Sequence, residues 1–281
     1  MKNQCNLKGK TAWITGGKRV GQRVAEILAQ NGCNIILSYN KSKKEAESTQ
    51  KNLKTLKTEK SKAFLVQKIP NEFSWNQKFS GHRKSKRFSS EFKIKTLVIQ
   101  CDVSSRKSVA DAVNQIKKEF KKIDILVLMA SIFEKKGFHL LSENDFRRNF
   151  EVHVLGTLFP IQLCFGMMPK GSHIMTVSDE ATMGKYYEGY LPYLISKNAV
   201  NYLTKALSEE LNGVYINTIA PGPVLKPKGL SKKRWTQIKK ELNCRISDEE
   251  AVDKFAQLAL KLSTIKSTGN IYKLDSKKFK L

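Results

Sequence analysis

The strongest constraint on the fold is a regular alternation of short apolar runs with amphipathic runs of helical length. Most of the short runs are continuously apolar, which is typical of strands that are covered on both faces. Strands separated by helices need right-handed crossovers, so the pattern predicts a parallel sheet with helices on both sides and one α/β domain over residues 1–281. The predicted strands are 11–15, 34–39, 97–100, 123–128, 173–177, 214–219 and 269–274.

One segment, residues 57–95, lacks this alternation. It lies between the second predicted helix and the third strand and is rich in Lys, Arg, Ser and Phe. A connection of this length is usually a functional loop or an insertion. Two interpretations stay open: a solvated insertion, and a basic arm that binds nucleic acid or an acidic partner. The lysine excess continues outside the segment, which favours the insertion, while its scattered aromatic residues indicate that part of it packs locally.

Charge and cysteine content limit the classes of protein to consider. Lys and Arg number 51 against 25 Asp and Glu, a net charge of +26, and such a surface attracts polyanions at low salt. The five cysteines form no C-x-x-C pair, which favours a reducing compartment over a disulfide framework. No histidine spacing suggests a metal site. Without an apolar run near the ~20 residues of a membrane span or a signal-peptide core, we expect a cytoplasmic protein with no membrane partner.

A glycine turn follows the first predicted strand and precedes a helix. Gly16 and Gly21 bracket this turn, and Lys18, Arg19 and Val20 lie between them. Backbone N–H groups and the positive end of the helix dipole bind phosphate at such a place, and glycine lets the main chain approach a pyrophosphate. The spacing alone is a weak signal, because any tight strand-to-helix turn uses glycine. Its position in a parallel α/β pattern predicts a dinucleotide site.

The end of the second strand indicates which dinucleotide binds. Asn40, Lys41 and Ser42 follow this strand, where a protein that prefers NAD usually has an acidic residue for the ribose 2′-hydroxyl. Lys41, together with Lys18 and Arg19, can instead form charge-assisted hydrogen bonds with a 2′-phosphate. The alternative is that all three are ordinary surface cations. The convergence of two loops favours NADP(H) as the cofactor.

Further candidates follow the third and fourth strands, where open α/β sheets bind ligands. Asp102 places a carboxylate where an adenine amino group can be bound, and Val103 comes next. Ala130 and Ser131 are small residues at a place where the backbone must let a ribose approach.

Tyr193 and Lys197 lie four residues apart at the start of a predicted helix, on one face. A tyrosine hydroxyl titrates near pH 10 when unperturbed, too high for acid–base work at neutral pH. A neighbouring ammonium group lowers that pKa, and the same lysine can bind ribose hydroxyls. An isolated Y-x-x-x-K match is often accidental, but this one follows the fifth strand in register with the cofactor end.

The order of these motifs resembles that of the short-chain dehydrogenase/reductase family. The glycine turn, Asp102 with Val103, the Tyr193 motif and the segment from Pro221 to Val224 occur in the family's order. The resemblance covers nearly the whole chain outside residues 57–95. It implies a Rossmann-type, three-layer α/β/α fold with about seven parallel strands, a homodimer or homotetramer, and hydride transfer between nicotinamide and a carbonyl or alcohol.

The resemblance also assigns roles. Tyr193 is implied to be the general acid, and Lys197 the residue that lowers its pKa and binds ribose. Pro221, Gly222 and Val224 are implied to contribute to the nicotinamide pocket.

Two positions depart from the family pattern at the chemical end. His153 stands where the family has an asparagine that helps to hold a proton-feeding water, and Asp179 stands where it has a carbonyl-orienting serine. His153 either replaces the asparagine, with a pKa near neutrality, or is merely packed. Pteridine reductases resemble this chain at Asp179, which implies a proton relay with Tyr193 or a bond to a pterin ring. The alternative is that Ser178 polarises the carbonyl.

Three functions follow from these residues. The first is an NADPH-dependent reductase of a carbonyl or pterin-like C=N substrate, with Tyr193 as proton donor. The second is a 3-oxoacyl-acyl-carrier-protein reductase, because a strongly basic chain suits an acidic carrier protein. The third belongs to another class: an idle Rossmann-fold protein that binds polyanions through its basic surface. Retention of both Tyr193 and Lys197 favours an enzyme and argues against nucleic acid as the partner.

Overall fold

Seven parallel strands form a single sheet in the order β3-β2-β1-β4-β5-β6-β7. The computed structural model describes residues 6–16, 18–55, 93–184, 186–226, 230–241, 244 and 246–274. The strands are β1 (Thr11–Thr15), β2 (Asn34–Tyr39), β3 (Thr96–Gln100), β4 (Ile125–Leu128), β5 (Ser172–Val177), β6 (Val214–Pro221) and β7 (Ile271–Leu274). The predicted doubly wound parallel sheet is confirmed, and its order reverses between β1 and β4, where such sheets bind ligands.

Helices cover both faces of this sheet. They are α1 (Val20–Gln30), α2 (Lys43–Thr55), α3 (Arg106–Glu119), α4 (Glu143–Phe150), α5 (Gly156–Cys164), α6 (Leu191–Glu210), α7 (Lys232–Glu241) and α8 (Asp248–Leu262). One apolar core lies between the sheet and α1 and α8. A second lies between the sheet and α3 and α5. The three-layer arrangement predicted from the sequence is therefore present.

The strand limits differ from the prediction mainly at the amino ends. β1 and β2 begin and end where predicted, whereas β4 begins at Ile125 rather than residue 123. Asp124 explains the later start, because its buried carboxylate accepts hydrogen bonds from the Thr11 amide at 2.9 Å and from Lys10 and Lys122 at 3.0 Å. This side chain ties the amino ends of β1 and β4 together. The predicted insertion at 57–95 lies almost wholly outside the described residues, and the single domain stays a prediction.

A continuous helical run, Glu143–Met167, comprises α4, a π-helical turn at Glu151–Leu155, α5 and a 3₁₀ turn. The π turn is visible in the bond from the Gly156 amide to the Glu151 carbonyl, five residues earlier. The run of 25 residues is long and apolar enough to cross a membrane, with a mean hydropathy of 1.3 over its best window, a third of which is buried. The expectation that no apolar run comes near this length was wrong. Because a core helix passes the same test, the run carries no argument for a membrane.

Candidate active site

Tyr193 and Asp179 contact each other directly. Tyr193 lies in the first turn of α6, and its hydroxyl donates a hydrogen bond to Oδ2 of Asp179 at 2.9 Å. Asp179 follows β5 and caps a 3₁₀ turn, Glu180–Met183, by accepting a bond from the Ala181 amide at 2.9 Å through Oδ1. Both carboxylate oxygens therefore accept hydrogen bonds. Asp179 occupies the position at which the family that the sequence resembles has a serine.

Lys197 lies one helical turn after Tyr193 and is buried, with 2% exposure. Its ammonium donates to the Val177 carbonyl at 2.9 Å, at the end of β5, and lies 5.8 Å from the centre of the Tyr193 ring. Burial lowers the pKa of Lys197 to about 8, against an opposing effect of the Asp179 carboxylate. The lysine therefore keeps its charge at neutral pH and loses it under mildly alkaline conditions.

The expected lowering of the Tyr193 pKa by Lys197 is wrong for this structure. Burial of the phenol, followed by the charge of Asp179 and the hydrogen bond to it, raises the pKa of Tyr193 well above its ordinary value. Burial also raises the pKa of Asp179, although bonds from the Ala181 amide and Tyr193 act against it. Tyr193 is thus a protonated phenol that can give up a proton, with a carboxyl group beside it.

His153 lies in the π turn and is almost completely buried. Its Nε2 accepts a hydrogen bond from the Ile132 amide at 3.2 Å and lies 3.0 Å from the Ser131 hydroxyl. Nδ1 lies 2.7 Å from the hydroxyl of Ser196, which donates to the Tyr193 carbonyl at 2.8 Å. Because Nε2 accepts, the proton is assigned to Nδ1. The ring thus connects the loop after β4 to the first turn of α6.

The prediction that His153 titrates near neutrality is wrong. Burial, with a smaller effect of the Lys197 charge, lowers its pKa to about 2, and the bond with the Ile132 amide acts against this shift. The imidazole is neutral at physiological pH and holds α6 in position. Its role as a catalytic residue stays a prediction.

Aromatic side chains that the sequence reasoning missed lie beside Tyr193. The Phe133 ring stacks on Tyr190 with centroids 4.2 Å apart and planes at 15°, and it meets the Tyr193 ring edge-on at 4.8 Å. Phe133 is 37% exposed. Both residues lie in loops, where no periodicity reveals them. Their closeness in sequence to Ser131 and to Tyr193 was the available signal.

The glycine turn after β1 has the close backbone contacts that a dinucleotide site requires. Gly16 has φ +77°, and a side chain there would lie 3.2 Å from the Ala130 amide. A Cβ at Gly21 would lie 2.5 Å from the Gly16 carbonyl oxygen. Val20 begins α1, and among the described residues no side chain forms a capping hydrogen bond at the N-terminus of this helix. These features fit a bound pyrophosphate, since it would approach bare backbone at a helix N-terminus.

The cations predicted for the 2′-phosphate are engaged in different ways. Lys18 forms an ion pair with Glu45 in the first turn of α2, which brings it towards the loop after β2. Arg19, at φ 59°, instead donates to the Lys226 carbonyl at 2.8 Å, in the loop after β6. Lys41 is exposed and forms no hydrogen bond or ion pair with the part of the chain that the structure describes. The structure therefore directs Lys18 to α2, the helix that follows the loop of Lys41, and Arg19 to the loop after β6.

The remaining cofactor candidates lie at the carboxyl ends of the strands, as predicted. Asp102 follows β3, and its Oδ1 accepts bonds from the Ser104 amide at 3.0 Å and hydroxyl at 2.6 Å. Val103 is buried against Gly156, where an added Cβ would lie 2.7 Å from the Val103 methyl group. The loop after β4 contains Ala130 and Ser131, and the loop after β2 contains Asn40 and Ser42.

Pro221 ends β6, and Gly222 follows it against a buried acid that the sequence reasoning missed. A Cβ at Gly222 would lie 2.9 Å from the carboxyl group of Glu180, which is 3% exposed and lies 3.8 Å from the Lys273 ammonium. Val224 packs against the core. Among the residues that the structure describes, no three His, Cys, Asp or Glu side chains are grouped as a metal site would need.

Comparison with known proteins gives two kinds of likeness. A solved short-chain dehydrogenase from Burkholderia cenocepacia, in complex with NADP, has a TM-score of 0.77 at 20% identity and covers 97% of this chain and 98% of its own. At this identity the likeness shows the fold. Among curated proteins, short chain aldehyde dehydrogenase 1 of Euphorbia lathyris is 32% identical over 79% of this chain, and this chain spans 66% of its length. Sorbose reductase of Candida albicans is 25% identical over 95% of this chain and 86% of its own.

A family model described as Enoyl-(Acyl carrier protein) reductase matches residues 73–262, which is more than half of the chain. The matched residues include Tyr193, Lys197 and Asp179 and the strands that carry them. The narrower resemblance to pteridine reductases is not established by these comparisons. With the motif order and the sheet topology already described, this match shows that the chain belongs to the short-chain dehydrogenase/reductase family.

Proposed function

We propose that this protein is an NADP-dependent oxidoreductase that reduces a carbonyl group by hydride transfer, with Tyr193 as the proton donor. The observation that carries the proposal is the buried, protonated Tyr193 hydroxyl, bonded to Asp179 at 2.9 Å and one turn from the Lys197 ammonium. Asp179 follows the carboxyl end of β5, and the glycine turn follows the carboxyl end of β1 in the same parallel sheet. Positioned proton donors of this kind typically accelerate a reaction by about 10²–10⁴-fold.

The residues present fit NADP(H). The described backbone of the turn that Gly16 and Gly21 bracket would receive the pyrophosphate, and Asp102 would bind the adenine. Exposed Lys41, with no acidic residue beside it in the loop after β2, would bind a 2′-phosphate. The bound cofactor supplies the hydride to the carbonyl carbon.

The chain's own groups supply and replace the proton. Tyr193 donates its hydroxyl proton to the substrate oxygen as negative charge develops there. A phenolate beside an ionised Asp179 is unfavourable, as the raised pKa of Tyr193 shows. Because burial raises the pKa of Asp179, its carboxyl group holds a proton at higher pH than an exposed aspartate does. That proton can pass to Tyr193 across their hydrogen bond, which returns the phenol to its protonated form.

The aromatic side chains beside Tyr193 favour a substrate with a flat apolar body. Phe133 and Tyr190 form a stacked pair whose edge reaches the Tyr193 ring, and such faces bind planar groups. A pterin-like C=N substrate is a second candidate, supported by this pair and by Asp179 in place of the serine.

No contact in the described site favours an acyl carrier protein. The polar contacts of Tyr193 favour an enzyme over an idle binding protein. A homo-oligomer and a cytoplasmic location remain predictions.

The test is a substrate panel with the purified full chain. Aromatic and aliphatic aldehydes, ketoses and an oxidised pterin are each combined with NADPH or NADH, and the loss of nicotinamide absorbance is followed. We expect faster oxidation of NADPH than of NADH, with the best rates for planar substrates, and a rate about 10²–10⁴-fold lower in the Tyr193→Phe variant. NADPH binding without turnover on any substrate would contradict the proposal and support the idle binding protein.

A further inference from the structure

Helix α6 contacts the segment after β5 at three points along one face. Two of them are the bonds from Lys197 to the Val177 carbonyl and from Tyr193 to Asp179, described above. The third is Asn201, one turn beyond Lys197, whose Nδ2 donates to the hydroxyl oxygen of Thr182 at 2.8 Å. The spacing of four residues between Tyr193, Lys197 and Asn201 places them in one row on the helix.

Thr182 links Asn201 to the backbone of Asp179. Its hydroxyl donates to the backbone carbonyl of Asp179 at 2.6 Å, and its amide donates to the same oxygen at 3.1 Å. The hydroxyl therefore accepts from Asn201 and donates to Asp179 at once. A chain of hydrogen bonds runs from α6 through Thr182 to the backbone of the residue whose carboxylate contacts Tyr193.

The short turn that carries Asp179 needs this support. It is a single 3₁₀ turn, Glu180–Met183, followed by Gly184 at φ 99°, and Met183 at its end is 41% exposed. Such turns have poorer hydrogen-bond geometry than an α-helix and little stability of their own. The bond from Asn201 fixes the turn from the side of α6, on which Tyr193 also lies.

Stability alone does not account for an asparagine at this position. Asn201 is 6% exposed, and its Oδ1 is buried with no hydrogen-bond partner among the described residues. An unpaired buried acceptor costs free energy, which an apolar side chain of the same shape avoids. The contact that favours asparagine at this position is therefore the hydrogen bond from Nδ2 to Thr182.

We propose that Asn201, acting through Thr182, is a positioning residue that holds the Asp179 carboxylate against the Tyr193 hydroxyl. The inference rests on the proposed function, in which these two groups exchange a proton and must stay within hydrogen-bond reach. Asn201 itself contacts neither Tyr193 nor a reacting atom.

The kinetic test is a double-mutant cycle. Asn201→Leu should lower kcat by about 10-fold, a coupling typical of contacting residues, with NADPH affinity within about twofold. In an Asp179→Ala background the same change should have no further effect, because no carboxylate remains to be positioned. Equal losses in both backgrounds would overturn the inference.

A matched control lies three residues further along α6. Thr204 is fully buried, and its hydroxyl pairs with that of Thr176 at 2.7 Å, with no link to Asp179. Thr204→Val therefore removes a buried hydrogen bond from the same helix, and its effect on kcat should be the same in both backgrounds. Melting temperatures of the two variants show whether their folding losses are comparable.

A second measurement needs no turnover. Amide hydrogen exchange of Thr182 should be faster in Asn201→Leu than in the wild type, and unchanged in Thr204→Val. Unchanged exchange in Asn201→Leu would overturn the inference even if no substrate is found. Faster exchange without any activity would instead count against the proposed function alone.

Discussion

The chemical end and the phosphate end of the site are built in opposite ways. Tyr193 and Lys197 are buried, Asp179 is half-buried, and all three are joined by hydrogen bonds to each other or to the end of β5. Lys18 and Lys41 are exposed, and Lys18 is paired with Glu45 on the surface. The first group is in place before any ligand arrives, whereas in the second Lys18 must give up its ion pair with Glu45 to bind a phosphate.

This difference predicts how each end responds to change. A buried group bonded on several sides cannot be replaced by solvent, so its loss removes the whole function. Exposed cations are screened by salt, and each contributes little. Mutations at the chemical end should therefore abolish turnover, and those at the phosphate end should shift preference by degrees.

Replacing Tyr193 by Phe should have the largest effect. The ring and its contacts with Phe133 remain, but the proton donor is lost, so kcat should fall by about 10²–10⁴-fold. NADPH affinity, measured by fluorescence titration, should change little. A wild-type kcat in this variant would contradict the role of Tyr193 as proton donor. It would also remove the difference between the chemical end and the phosphate end of the site.

Gly21 is closely packed against the backbone of Gly16 at the phosphate end, so Gly21→Ala should weaken cofactor binding. The new Cβ would lie 2.5 Å from a backbone oxygen, so the turn must distort, and NADPH affinity should fall by more than about 10-fold. Gly137→Ala is the control, because nothing lies within 4 Å of its Cβ. Equal affinities of the two variants in calorimetry would show that the turn does not contact the cofactor.

The pH dependence of activity should report Lys197. Its pKa of about 8 predicts that kcat/KM for reduction falls about 10-fold per pH unit above that value, as the positive charge that lies 5.8 Å from the centre of the Tyr193 ring is lost. In Lys197→Met we expect a low kcat/KM that does not fall further between about pH 8 and pH 10. If kcat/KM of that variant fell above the same pH, the fall would belong to another titrating group.

The same shift has a consequence for stability with a defined sign. The folded pKa of Lys197, about 8, lies below the ordinary 10.5, so the unfolded chain binds this proton more tightly. Relative to Lys197→Met, the wild type should gain stability as pH rises from about 8 to 10.5. Urea unfolding at several pH values measures this difference, and a loss over that range would contradict it.

Lys41→Asp should have the smallest effect, a shift of about fivefold in the NADPH-to-NADH affinity ratio, as exposed charges allow. The shift should shrink as salt is added. Lys51→Asp on the exposed side of α2 makes the same charge change and serves as the control. An unchanged ratio in Lys41→Asp would place 2′-phosphate recognition elsewhere.

The strand pattern, the glycine turn and the Tyr193 motif could all be predicted because each depends on local spacing. Seven strands were expected, and seven are present among the described residues. The direction of the Tyr193 pKa could not be predicted, because it depends on burial and on Lys197 bonding to Val177 rather than approaching the phenol. The same holds for the Arg19 contact with Lys226, which joins residues 207 positions apart, and for the link from Asn201 to Thr182.

The π turn at Glu151–Leu155 has a consequence for how this chain can change in length. A π turn holds one more residue than an α turn. Removing one residue there would leave a regular α-helix with α5 facing the core as before, whereas a deletion elsewhere in a helix rotates all later residues by about 100°. Relatives can therefore differ by one residue here and still bury Ile161 and Cys164. Alignments across this turn can then shift by one position at His153, although the residues on both sides occupy equivalent places.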